Sequence, residues 1–347
     1  MKNESETPKK ITVVIPTHRR GNMLRSALQS VARQSRTDLI EEIIVSENSF
    51  DLSSKKIVEE FSGLPIRYIN QPKPTEAGKH FALLLSEVKT EWAAFLGDDD
   101  MWGRYHLEEG FRCLSLEPDC VAYVGWDAYI RDEKTPAYSI RQHQLGVFKI
   151  PHASDQTYIV ATAEDMTIAC LTETPLNMWS MIGRVKNLEA SFTAYSENNS
   201  GCDSDRYMFW LLSQQGNIVI NREITLFYRF HSASASTNML RENFSFHQKK
   251  AEEYTKHIIE KCRENKIDLE SAWTAKLNTL HPFERNSYWD AGIDGSKNII
   301  RKSWPETVQK FFGCERTNNF KKIIKYTTPP ILLHIFHYIK SYARRAK

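Results

Sequence analysis

An alternation of two patterns through the first hundred residues constrains this chain more than any other feature. Ile11-Thr12-Val13-Val14-Ile15 is a β-branched run stopped by Pro16, the signature of a strand buried on both faces. Behind it, residues 21–34 place Met23, Leu24, Ala27, Leu28 and Val31 on one helical face. Glu42-Ile43-Ile44-Val45, Ile66-Arg67-Tyr68-Ile69 and Trp92-Ala93-Ala94-Phe95-Leu96 repeat the strand signal, while Lys55–Phe61 and Phe81–Val88 repeat the helical one. Strands and helices alternating at this spacing predict a parallel, doubly wound α/β sheet. Ligands of such sheets sit at the carboxyl ends of the strands. Three of those ends are polar here: Thr17-His18-Arg19-Arg20, Ser46-Glu47-Asn48, and Gly97 to Asp100. They are distant in sequence, and the topology predicts that they converge.

Beyond residue 130 the pattern weakens. Between 131 and 175 the chain is polar and turn-rich, with weak strand signals at Gly146-Val147-Phe148 and Tyr158-Ile159-Val160. A helix is predicted over Asp205–Ser213, then strands over Asn217–Ile220 and Leu226–Phe230. After about residue 238 the chain reads as helical and charged. The expected organisation is therefore a flexible N-terminus over 1–10, an α/β domain over 11–237 and a helical C-terminal region over 238–347. The 347 residues, 41% of them hydrophobic, suffice for such a core. A net charge of +3 gives no reason to expect nucleic acid binding. Six cysteines without a CxxC pair point to reduced, buried thiols rather than zinc. No signal peptide is read at the start, so the expected location is the cytoplasm.

The run Asp98-Asp99-Asp100 poses an electrostatic problem. Carboxylates this close repel, and their pKa values rise unless a cation compensates. Mg²⁺ or Mn²⁺ prefers oxygen ligands. Held by one or two carboxylates, such an ion keeps positions open for substrate phosphates and can neutralise a diphosphate leaving group. The triplet alone is equally consistent with a solvated acidic loop at a helix start.

Its surroundings decide between the two. Glu91-Trp92-Ala93-Ala94-Phe95-Leu96-Gly97-Asp98-Asp99-Asp100 resembles the "DxD" segment of glycosyltransferase family 2, and Ile11–Arg20 resembles that family's opening VSVIIPTYNR. Leu24…Leu28-Gln29-Ser30-Val31…Gln34-Ser35 and Glu42–Asp51 are similar to its next two motifs, in the right order. The resemblance implies the GT-A fold, a nucleotide-sugar donor, with a UDP-sugar foremost, and a Mn²⁺ or Mg²⁺ cofactor. It puts Pro16 and Thr17 under the nucleotide, Arg19 or Arg20 at a phosphate, and Glu47 where the family carries a uracil-binding aspartate. Asp99 matches the main metal position, Asp98 lies near ribose or metal, and Asp100 supports the metal from beside it. Lys79 falls near a donor-contact position. Gly97 stands where many members have the first aspartate, so the motif is shifted.

Downstream, Gly201-Cys202-Asp203-Ser204-Asp205-Arg206-Tyr207 resembles the family's "ED" helix start, with Cys202 in place of glutamate. An inverting transfer needs a carboxylate to take the acceptor hydroxyl's proton. The resemblance assigns this to Asp203, with Asp205 as the fallback. Leu226–Ser236 looks like the "YRxHxxSxS" close and implies His231 as a diphosphate or metal contact, with Arg229 weaker in the same role. Trp126, Asp127, Trp179 and Tyr195 fall where acceptor specificity would reside and read first as core. The implied acceptor is a glycan or lipid-linked sugar of bacterial surface polysaccharide. Residues 320–347 carry seven Lys or Arg and no acidic residue, and an apolar stripe from Ile331 to Tyr342 follows Pro329-Pro330. That pattern suits a helix lying on an anionic membrane at its cytoplasmic face, or one docked on the domain. Two other functions compete: a nucleotidyltransferase, and a non-catalytic binding or scaffold protein with a degenerate site.

Overall fold

A computed structural model describes residues 10–50, 52–130, 157–172, 176–197, 204–229, 231, 253–254, 257–260 and 262–264. Asp203, the strand expected at Gly146–Phe148 and the basic C-terminal helix lie outside the described residues.

The first hundred residues fold in the expected alternation: β1 (Ile11–Thr17), α1 (Gly21–Ala32), β2 (Ile40–Glu47), α2 (Ser53–Glu59), β3 (Ile66–Asn70), α3 (Ala77–Ser86) and β4 (Trp92–Phe95). They form a parallel block in the order β3-β2-β1-β4. Ile11, Val13, Val14 and Ile15 of β1 are fully buried, because helices cover both faces of the sheet. Each such side chain stabilises the fold by roughly 1.5–3 kcal/mol. Leu24, Ala27, Leu28 and Val31 of α1, at the i, i+3, i+4, i+7 spacing, are equally buried.

The second half of the sheet is mixed. It comprises β5 (Met101–Trp102), β6 (Ala122–Ile130), β7 (Tyr158–Ala161), β8 (Met181–Arg184) and β9 (Ile218–Arg229), with α4 (His106–Leu116), α5 (Ala163–Thr172), α6 (Val185–Glu197) and α7 (Ser204–Ser213) between them. β8 inserts antiparallel between β4 and β6, β9 runs parallel to β6, and β5 and β7 pair antiparallel with β9.

Two elements differ from expectation. The third helix begins at Ala77, not Phe81: Glu76 is extended and its carbonyl accepts from His80 N at 2.9 Å, so Lys79 and His80 are helical. His80 takes a core position, its Nε2 2.8 Å from Ser46 Oγ. The two strands predicted at 217–220 and 226–230 are one, β9, which runs through Asn221-Arg222-Glu223. Its register on β6 slips near Gly125 and Trp126, which lets the polar Asn221 and Thr225 be buried with partners. Asn221 Nδ2 donates to Glu109 Oε2 at 3.2 Å, and Thr225 Oγ1 lies 3.0 Å from His106 Nδ1. A Cβ on Gly125 would stand 1.8 Å from Thr225 Oγ1, so only glycine fits opposite it.

Candidate active site

The carboxyl ends of β1, β2 and β4 meet at one edge of the sheet. Thr17 is in register with Glu47, and Asn48 N bonds Thr17 O at 2.9 Å. Leu96 N donates to Val14 O at 3.1 Å as the last bond between β4 and β1. Residues on one side of a strand recur every second position, so Pro16 shares the β4-facing side with Val14. By that point β4 has turned away at Gly97, and the missing N–H of Pro16 costs no ladder bond.

The acidic run begins at that turn. Asp98 Oδ2 accepts from His18 N at 3.2 Å and Asp98 Oδ1 from Arg20 Nη1 at 3.0 Å, tying the ends of β4 and β1 together. Arg20 Nη1 also contacts Asp99 Oδ2, the same oxygen that lies 3.0 Å from His231 Nε2. Asp100 Oδ1 accepts from Arg229 N at 2.8 Å, and Arg229 Nε donates to Asp99 O at 2.9 Å. Sheet register explains why residues 130 positions apart meet. Met101 pairs with Phe227 and Trp102 with Leu226 in antiparallel sense, so continuing that ladder sets Arg229 opposite Asp99.

Burial perturbs these acids. Burial first, and then the charge of Asp99, push the Asp98 carboxyl up to about 6 against the pull of Arg20. Burial and then Asp99 hold Asp100 well above the ordinary carboxylate range. Asp100 Oδ2 is buried and has no hydrogen-bond partner among the described residues. It packs against Gly97: a Cβ there would lie 2.9 Å from Asp100 Oδ2, 3.1 Å from Asp99 Oδ1 and 3.3 Å from Trp179 Cδ2. Gly97 therefore occupies the usual first motif position for want of space.

The donor set suits a hard divalent ion. Two cis ligands about 2.1 Å from an octahedral ion stand about 3 Å apart, and Asp99 Oδ2 and His231 Nε2 are 3.0 Å apart. Among the described residues no three His, Cys, Asp or Glu side chains form a ready cage. The carboxylate and imidazole of Asp99 and His231 are in hydrogen-bond contact, with the carboxylates of Asp98 and Asp100 beside them, a donor set of the kind such an ion uses.

Glu47 is fully buried. Its Oε2 accepts from Ser54 Oγ and its Oε1 from Arg19 N at 3.4 Å, so it fastens the β1–α1 turn to the start of α2. Arg19 has a left-handed backbone (φ 58), unusual for a residue other than glycine. The guanidinium that reaches the acidic run belongs to Arg20, not to Arg19. Lys79 is 59% exposed and pairs with Glu76 at 3.2 Å. Asp205 lies in the first turn of α7, half-buried. Trp126 and Asp127 are buried, Asp127 beside Asn177 Nδ2 at 3.0 Å. Trp179 is half-buried at the site's edge. Sequence reasoning underweighted Arg20 and Arg229, because nothing in an Arg-Arg pair says which side chain turns inward.

A parallel sheet with acidic residues at the β4 terminus, closed by an antiparallel strand that delivers a histidine, is the GT-A architecture of glycosyltransferases. Residues 12–168 match the model of glycosyl transferase family 2. The chain carries a glycosyl transferase family 2 domain over those residues. The fold is similar to that of S. aureus TarS (TM-score 0.51, 15% identity, covering 79% of this chain and 49% of that one), so this chain spans about half the length of that protein. It is also similar to TarS 1-349 in complex with UDP-GlcNAc (TM-score 0.50, 13% identity, 80% and 83% covered). A third similar structure is the mannosyltransferase PcManGT from Pyrobaculum calidifontis in complex with GDP-Man and Mn²⁺ (TM-score 0.51, 12% identity, 98% and 87% covered). No curated protein matches in sequence. Among the described residues no helix is long and apolar enough to cross a membrane.

Proposed function

We propose that this protein is an inverting glycosyltransferase that moves a sugar from a nucleotide-sugar, a UDP-sugar foremost, to a glycan or lipid-linked acceptor in bacterial surface polysaccharide synthesis. The observation that carries the reading is the meeting of Asp98, Asp99 and Asp100 with Arg20, Arg229 and His231 at the strand ends. The donor complexes named for TarS and PcManGT support it. Asp99 and His231, with Asp100 beside them, would hold Mn²⁺ or Mg²⁺, which when bound supplies positive charge to a departing diphosphate. Pro16, Thr17, Arg19, Glu47, Lys79 and Asp98 make up the proposed nucleotide-sugar side of the site. Arg229 and Arg20 supply cations there.

In the transfer, the acceptor oxygen forms its bond to the anomeric carbon as the bond to the phosphate oxygen breaks. The nucleoside diphosphate leaves with that electron pair, and the acceptor's proton passes to a carboxylate, which we assign to Asp203 with Asp205 as the alternative. The transferase domain spans 11–237, and the basic helix near the C-terminus contacts an anionic membrane at its cytoplasmic face.

A donor screen with Mn²⁺, measuring released UDP against other nucleotides, tests the reading. Release from one sugar nucleotide, lost in Asp203→Asn but not in Asp205→Asn, is expected. No release from any donor by folded protein supplied with lipid-linked acceptors would overturn it, and loss only in Asp205→Asn would move the base.

A further inference from the structure

Arg20 occupies the place in the acidic run where a cation is required. It sits at the N-terminal boundary of α1, but its side chain makes no capping bond there. Instead Nη1 reaches Asp98 Oδ1 at 3.0 Å and Asp99 Oδ2. That second oxygen therefore faces two donors, Arg20 Nη1 and His231 Nε2. The Arg20 side chain is 22% exposed, so it lies at the mouth of the site and has solvent on one side. Burial pulls the Arg20 guanidinium down, but Asp98 and Asp99 outweigh it and hold the group above its ordinary value.

We propose that Arg20 is a resident counter-cation: in the donor-free protein it neutralises Asp98 and Asp99 and covers Asp99 Oδ2, and it yields that oxygen when a divalent ion and a nucleoside diphosphate bind together. This inference rests on the metal role proposed above. A guanidinium does not shed its proton in a protein, so it vacates the oxygen only by moving. A divalent ion arriving alone must displace a cation from its own ligand and leave that cation unpaired. An ion arriving with a diphosphate brings a new anionic partner for the displaced guanidinium. Ion and nucleotide should then bind cooperatively, and the coupling must be reciprocal. Arg20 would set the order of events, keeping the acidic run folded and quiet until the donor is present.

Mn²⁺ binding is read from the loss of the free-ion electron paramagnetic resonance signal, for wild type, Arg20→Gln and Arg20→Lys, each alone and with UDP or GDP. Circular dichroism confirms folding. Wild type should bind Mn²⁺ weakly alone and about tenfold or more tightly with the matching nucleotide, a coupling of ordinary allosteric size. Arg20→Gln should bind Mn²⁺ about tenfold more tightly than wild type without nucleotide, and gain less from it. Arg20→Lys, which keeps the charge but places it on a compact, more strongly hydrated ammonium at the end of a different stem, should fall between the two; it decides the matter if Arg20→Gln does not fold. Equal or weaker Mn²⁺ binding by the variants without nucleotide overturns the role of Arg20 while leaving the metal site standing. Absence of Mn²⁺ binding by every form, with either nucleotide, removes the metal reading and this inference with it.

Discussion

The substitution Gly97→Ala isolates the reason this motif departs from its family's usual form. Gly97 has no left-handed φ to require glycine, so alanine is acceptable to the backbone and the cost is one of space. The added methyl would lie 2.9 Å from Asp100 Oδ2, 3.1 Å from Asp99 Oδ1 and 3.3 Å from Trp179 Cδ2. Asp100 cannot retreat freely, since its other oxygen accepts from Arg229 N at 2.8 Å, and it is fully buried. Trp179 is held at its backbone, where its carbonyl accepts from Trp102 Nε1 at 2.8 Å and its N–H donates to Asn177 Oδ1 at 3.1 Å. Overpacking of this kind costs about 1–3 kcal/mol, and replacing glycine by alanine returns roughly 0.4–1 kcal/mol through the unfolded chain. The net loss runs from about 0 to about 2.6 kcal/mol, centred near 1.3 kcal/mol, which lowers Tm by roughly 3–5 °C at about 2–4 °C per kcal/mol. Displaced carboxylates should also weaken Mn²⁺ binding. Gly97→Asp, which restores the usual first aspartate by sequence, should be worse on both counts. Thermal melts and Mn²⁺ titrations of the two variants provide the assay. A Gly97→Ala protein more stable than wild type, or a Gly97→Asp protein with tighter Mn²⁺ binding, would refute the steric argument.

Three further outcomes are expected. Asp99→Asn should reduce transfer more than about a hundredfold, in line with losing charge stabilisation at a leaving group, while its thermal melt stays near wild type; activity within a few-fold would exclude Asp99 as the main ligand. The raised Asp98 pKa of about 6, against an ordinary 3.8, means that its protonated form favours the fold and that this contribution is lost as pH rises through that window. Asp98→Asn should therefore gain stability relative to metal-free wild type between pH 4 and 6, by at most about 3 kcal/mol from the size of the shift; a flat difference across paired urea melts would contradict this. His80 has the opposite sign: burial, then His18, lowers it from 6.5 to about 4, so its contribution is intact above pH 6.5 and lost as pH falls toward 4. His80→Gln should accordingly recover ground on wild type as pH drops through that range, and a growing deficit there would refute the assignment.

What could be read from the sequence follows from how each element is buried. β1, β2 and β4 are covered on both faces, so their residues are nearly all apolar and stand out as short runs. Each polar end directly follows its strand in the sequence, which made Thr17, Glu47 and Asp98 to Asp100 visible at once. β6, β8 and the helices α4 to α6 gave no such signal. β6 is Ala-Tyr-Val-Gly-Trp-Asp-Ala-Tyr-Ile, in which a buried aspartate and a glycine required by Thr225 interrupt the pattern. The polar centre of β9 was hidden for a related reason: Asn221 and Thr225 look like a turn until Glu109 and His106 are known to satisfy them. Arg20 rather than Arg19 reaches the acidic run, and adjacent identical residues carry no sequence mark of which side chain turns inward.

The site's two halves are joined by a short connection, and that shapes how it would fail. Asp99 and His231 meet because β5, only two residues long, pairs with β9 through Met101–Phe227 and Trp102–Leu226. A strand that short fixes register poorly by itself, and a slip of one residue would turn His231 and Arg229 to the opposite side of the ladder. The register is pinned from outside the strand pair. Trp102 N donates to Ser30 Oγ at 3.0 Å and Gln34 Nε2 to Gly103 O at 2.8 Å, while Gly103 N, donating to Thr225 O at 2.8 Å, extends the ladder by one pair. Ser30 and Gln34 belong to α1 and the turn after it, and α1 begins beside the arginine that covers Asp98 and Asp99. One helix therefore carries at its start the cation facing the carboxylates, and toward its end the groups that hold their histidine partner in line. A tilt of α1 would therefore reach the acidic run from both sides at once.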